Sequence, residues 1–132
     1  YDYSGEDENK APKLQGLQQG YVVPDLDVSR EGKRKWVEVK TKSAATYTRL
    51  NSRLEHGIPL RHWKSYFEVE RITGCPVWLA IYEMDTGEVL IASLQALASR
   101  GPRTSTMKKA GREQEAMIYF AREWMTVAFR LR

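Results

Sequence analysis

The sequence predicts an α/β domain, a central mixed β-sheet flanked by helices. Three observations carry that expectation. Two short apolar runs, YVVPDLDV (21–28) and KWVEVK (35–40), are joined by a polar segment holding Ser29, Glu31 and Gly32, the pattern of two strands in a hairpin with a slightly longer loop. Leu60, Trp63, Tyr66, Phe67 and Ile72 then recur at helical spacing. PVWLAIY (76–82) is a near-continuous apolar run, as expected of a strand covered on both faces, and 89–92 follows across a turn as its partner. A helix between the second and third strands implies a parallel crossover, which makes the sheet mixed.

Taken in order, 1–20 has no clear periodicity, and Gly16 and Gly20 break any helix across LQGLQQG. It reads as an irregular N-terminal arm on a single domain that spans 1–132. In the hairpin that follows, side chains alternate faces, so Val37 and Val39 point one way while Trp36, Glu38 and Lys40 point the other. Asp25 and Asp27 likewise share a face. Pairing of the two strands sets a carboxylate of the first beside Glu38 and Lys40 of the second. Such a cluster is costly unless something binds it. A hard divalent cation offsets the carboxylate repulsion and leaves the lysine to touch an anion or orient a water. The competing reading is a solvated cross-strand charge ladder.

Residues 41–55 (TKSAATYTRLNSRLE) read as a polar loop beside this cluster, and Arg49 and Arg53, four apart, share a face if a helical turn forms there. HGIP (56–59) reads as a turn. Pro59 suits the first turn of the following helix and Gly74 its end. Arg61, His62, Lys64, Ser65 and Glu68 fall mostly opposite the apolar stripe. Residues 83–88 form a turn that includes Asp85 and Glu88, and 94–98 a short helix. Residues 99–115, with Gly101, Pro102 and Gly111, read as a mobile basic connection offering Arg103, Lys108, Lys109 and Arg112. AMIYF (116–120) reads as a last strand, and 124–131 as a closing helix or extended tail.

Pro24-Asp25, twelve intervening residues and then Glu38-Val39-Lys40 resemble the PD-(D/E)xK signature of the restriction-endonuclease-like nucleases, and the order strand, strand, helix, strand, strand matches their core. The resemblance implies a restriction-endonuclease-like fold and hydrolysis of DNA phosphodiester bonds. It implies Mg2+ or Mn2+ held by Asp25 and Glu38, with Lys40 as the catalytic lysine near the attacking water. Asp27 is the rival for Asp25, which directly follows proline as in the family. Members carry a polar residue one helical turn before an aromatic on the next helix; His62 and Tyr66 have that spacing, which makes His62 a further catalytic candidate. A phage-type or Holliday-junction-resolvase-like member fits the chain's size, and junction-resolving members are dimers, so a homodimer is the expected assembly. Relatives also begin with a helix bearing a further acid, and 1–20 offers no counterpart. The alternative is therefore a catalytically inactive nucleic-acid-binding module on the same fold.

The net charge of +4 is modest, but its distribution is uneven. Residues 30–64 hold ten Lys or Arg against Glu31, Glu38 and Glu55, and 100–132 hold eight against Glu113, Glu115 and Glu123. The basic segments surround the candidate site in sequence. Phosphate backbones are bound mainly through such charge, so Lys42, Arg49, Arg53, Lys64, Arg103, Lys108 and Lys109 are the expected contacts to DNA, with RNA left open. No apolar run approaches the ~20 residues that cross a bilayer, and the acidic opening YDYSGEDENK lacks the apolar core of a signal peptide. Membrane partners are not expected, and the cytoplasm of a cell or of an infected host is the expected location. The single Cys75 precludes an internal disulfide and, lying between Gly74 and Pro76, reads as a small packed residue rather than a nucleophile. His56 and His62 are six apart, the wrong spacing for two zinc ligands on one helix face.

Overall fold

In the computed structural model, which describes residues 24–106 and 115–131, β1 (Leu26–Arg30) and β2 (Lys33–Lys42) form the antiparallel hairpin expected from the two apolar runs. The connection is tighter than expected: Glu31 and Gly32 alone make it, at φ 52° and 77°. Two consecutive positive φ values give a turn whose twist matches that of the strands, and Gly32 takes its share without steric cost.

The segment 41–55 is not a loop. β2 runs to Lys42, and β3 (Thr46–Thr48) pairs antiparallel with β4 (Arg53–Pro59). Arg49 lies in the turn between them and Arg53 in a strand, so they share no helical face. HGIP belongs to β4 rather than to a turn. The pattern misled because two successive buried positions of β4, Glu55 on one face and His56 on the other, are polar, and each is satisfied by partners. Gly57 is required within that strand: a Cβ there would stand 2.6 Å from the Tyr119 ring.

Helix α1 (Leu60–Thr73) starts after Pro59 and stops at Gly74, whose left-handed φ of 70° lets its N–H donate to the Glu70 carbonyl. Its buried residues are Trp63, Ser65, Tyr66 and Val69. Ile72, expected on the stripe, is 46% exposed. At 3.6 residues per turn it stands about 120° round the helix from Tyr66.

Beyond α1, β5 (Val77–Glu83) lies parallel to β2, and β6 (Glu88–Ser93) pairs antiparallel with β5. Glu83 closes β5 rather than opening the turn, and it is fully buried. Helix α2 (Leu94–Ser99) is capped by Ser93, whose Oγ accepts from the Ala96 N–H. Two further strands, β7 (Arg103–Thr106) and β8 (Ala116–Ala121), pair with each other, which places Arg103 in a strand instead of a mobile connection. After one 3-10 turn over Arg122–Trp124 the segment is extended rather than helical, and it is a strand: β9 (Thr126–Arg130) pairs with β6.

The result is a five-stranded mixed sheet, β1-β2-β5-β6-β9, and an antiparallel four-stranded sheet, β3-β4-β8-β7, which the sequence did not announce. The α/β architecture with a central mixed sheet and flanking helices is as expected. Trp36, Leu79, Ile81 and Leu90 of the large sheet, Trp63, Tyr66 and Val69 of α1, and Ile58, Ile118 and Phe120 of the small sheet form one core. The other face of the large sheet is less covered: Trp78 and Tyr82 are half-buried, so β5 is not fully enclosed on both faces among the described residues. No helix among the described residues is long and apolar enough to cross a membrane. The arm at 1–20 and Lys108, Lys109 and Arg112 lie outside the described residues.

Candidate metal and nucleic-acid site

The site is built where β1 begins against the middle of β2. Pro24 is buried, and Asp25 follows it at a bend just before β1. One Asp25 carboxylate oxygen accepts the Val39 backbone N–H at 3.0 Å, which fixes the side chain against β2. Glu38 sits on the inward face of β2 in line with buried Trp36, and only 4% of it is exposed. Tyr66 of α1 donates its hydroxyl to the Glu38 carboxyl.

Burial raises the Glu38 pKa most, and the neighbouring Asp25 raises it further; the Tyr66 hydroxyl and the Lys40 charge oppose them, leaving it at about 8. Glu38 is thus mostly a neutral acid at pH 7, beside an aspartate. Burial and the adjacent carboxyls in turn push the Tyr66 hydroxyl far up, so it stays a donor. Lys40, two residues along the same face, is close enough for its charge to act on both Glu38 and His62.

His62, in the first turn of α1, is held below the usual imidazole range by burial and by the cations Lys40 and Arg61. Its Nδ1 is buried with no hydrogen-bond partner among the described residues. Arg61 is ion-paired with Glu115. Asp27 does not join the cluster: its carboxylate is held by the Arg34 guanidinium, with Nε at 3.1 Å. Asp25, Glu38, Lys40 and His62 therefore come together, and Asp27 does not.

The donor set suits one class of ion. Among the described residues no group of three or more His, Cys, Asp and Glu side chains is placed to hold a metal. Two carboxylates fit Mg2+ or Mn2+, hard ions that keep several waters and take the rest of their ligands from substrate phosphate. A carboxyl that keeps its proton only because it is buried beside another is one that a cation can deprotonate.

The expected nucleic-acid contacts scatter. Lys42 continues the Glu38–Lys40 face, half-buried and level with Glu83; burial and Lys40 lower its pKa. Arg49 is exposed in the β3–β4 turn and lines a cleft of about 330 Å3 with Tyr47 and Tyr119. Lys64 is exposed on α1. Arg53 and Arg103 have intramolecular partners: both bind buried Glu55, at 2.9 and 2.7 Å, and lie over the rings of Trp124 and Tyr119.

Sequence reasoning missed one buried polar network. His56 Nε2 lies 2.6 Å from a Glu83 oxygen, and the Arg122 guanidinium reaches both Glu83 and Glu88. Burial alone would raise the Glu83 pKa, but hydrogen bonds from Arg122, His56 and Thr86 outweigh it and hold it down to about 2. Burial, with Lys42 and Arg122 nearby, keeps His56 below its usual range, so a neutral imidazole donates through Nε2. A signal was present: Val77, Leu79, Ile81 and Glu83 alternate along one strand, which puts the glutamate on the core face.

No protein-family model and no curated protein matches the chain. Among solved structures, the fold matches that of Hjc, a Holliday junction resolvase from the archaeal hyperthermophile Archaeoglobus fulgidus. The two share 10% identity with a TM-score of 0.51, over 84% of this chain and 74% of the resolvase. At that identity the likeness is one of fold.

Proposed function

We propose that this chain is a divalent-metal-dependent nuclease that hydrolyses phosphodiester bonds in DNA. The observation that carries the reading is the buried Glu38 carboxyl, raised to about 8 beside Asp25 and flanked by Lys40. The fold shared with a protein that resolves Holliday junctions supports it and favours branched DNA among substrates. A homodimer, with one site per strand to be cut, suits such a substrate.

Asp25 and Glu38 would hold Mg2+ or Mn2+, which supplies charge stabilisation to the phosphate and acidifies a water. To serve as a ligand Glu38 would release its proton to solvent. The Val39 N–H keeps Asp25 oriented, and Tyr66 fixes the Glu38 rotamer from the core side. Lys40, two residues further along the same face of β2, positions the attacking water against the phosphate. His62, in the first turn of α1 and near Lys40, is a further contact to phosphate or to the attacking water. Lys42, Arg49 and Lys64 add backbone contacts.

The test is cleavage of labelled four-way junction, duplex and single-stranded DNA with Mg2+ or with chelator. Glu38→Ala and Lys40→Ala should each lower the rate by a hundredfold or more, on the order of losing one transition-state contact. Parent-like cutting by both variants contradicts the assignment. DNA binding by the parent without any metal-dependent cutting would instead identify a catalytically inactive binding module.

A further inference from the structure

We propose that the turn end of the β1–β2 hairpin is a second nucleic-acid contact, a grip on the phosphate backbone of duplex flanking the cut. This rests on the nucleic-acid reading above but uses none of its residues. Arg30 and Lys33 are direct cross-strand partners, and Val28 pairs with Lys35. Cross-strand partners share a face, and so do residues two apart, so Arg30, Lys33 and Lys35 form a triangle of like charge on the outer side of the sheet. Like charges directly opposite destabilise a hairpin, and an anion relieves them.

Little within the chain provides that relief. All three residues are exposed, and none forms an ion pair among the described residues. The fourth cation of the segment, Arg34, is held by Asp27 on the other face. Glu31, in the turn, is the carboxylate that among the described residues lines the same cleft as the three cations. The Lys35 ammonium stands 4.8 Å from the centre of the Trp78 ring, which keeps it raised on the outer face. A cleft of about 530 Å3 opens there, lined by the hairpin's cations with Val28 and Pro76.

Evenly spaced phosphates are the partner that several fixed cations on a narrow ribbon fit best, and a two-stranded ribbon enters the major groove of a duplex. The same strand carries Glu38 five residues further on, about 17 Å along β2, which is about five base-pair steps of a duplex. One rigid strand would thus carry both the grip and the candidate cutting residues.

The experiment measures binding of labelled duplex by anisotropy over a series of salt concentrations, in chelator so that no cutting occurs. The parent is compared with a triple variant, Arg30→Ala, Lys33→Ala and Lys35→Ala, and with Lys33→Glu alone. The triple variant should bind about tenfold or more weakly near 0.1 M salt, and its slope of log affinity against log salt should be shallower by about two to three, at ~0.9 per lost phosphate contact. Lys33→Glu should move both in the same direction. An unchanged slope overturns the proposal, whether or not affinity falls. Because binding is read without metal, failure of the nuclease reading shows only in the cleavage assay, and failure of the grip only in the slope.

Discussion

Glu38 is the residue in which the fold's chemistry is concentrated. It is a carboxyl that the sheet places inward, that α1 covers with Tyr66, and that burial first and Asp25 second keep from ionising easily. That arrangement has a sign. Folded Glu38 holds its proton up to about pH 8, whereas an unfolded glutamate loses it near 4.3. Folding therefore takes up a proton between those values, and the parent's metal-free stability falls as pH rises through that window and levels above it. A glutamine carries no such proton. Glu38→Gln should gain on the parent by up to ~1.4 kcal/mol per pH unit, a few kcal/mol in all, between about pH 5 and 8. Urea denaturation across that range checks it; a gap that stays constant with pH would show that Glu38 is not perturbed. Glu83 shows the opposite environment, a buried carboxylate kept ionised by Arg122 and by the His56 donor. Two buried glutamates thus hold different protonation states because only one has a cation in direct contact.

The elements differ in how far the sequence revealed them. β1, β2, α1, β5 and β6 follow from apolar alternation, a helical stripe and the Pro59 and Gly74 boundaries, and these elements bring Asp25, Glu38, Lys40, His62 and Tyr66 together. Of the small sheet only β8 was legible, as AMIYF; β4 was not, because two of its buried positions are polar. Glu55 is bound by Arg53 and Arg103 and His56 by Glu83, so neither marks a strand by hydrophobicity. β9 was hidden for a different reason: it is an exposed edge strand, recognisable only by the β6 neighbour it pairs with. The placement of Gly57 against the Tyr119 ring ties β4 to β8. Gly57→Ala should destabilise the domain by about 1–3 kcal/mol through overpacking, measured by denaturant midpoint. A midpoint equal to the parent's would mean that the ring moves aside freely.

At the scale of the whole molecule, one strand organises function. β2 is bounded on one side by the hairpin partner that delivers Asp25 and on the other by parallel β5, and it carries Glu38, Lys40 and Lys42 along one face. The motif was readable because it lies within a single hairpin. The approach of α1 was readable only as a resemblance, since Tyr66 reaches Glu38 across 28 residues of sequence. The claim on which the whole account rests is that the buried carboxyl exchanges its proton for a divalent ion. Calorimetric titration of Mg2+ or Mn2+ into the parent at about pH 7, in two buffers of different ionisation enthalpy, counts the protons released per ion bound. Exchange at Glu38 releases close to one proton per ion from the parent and no comparable amount from Glu38→Gln. Binding that releases no proton, or the same release from both proteins, would contradict it.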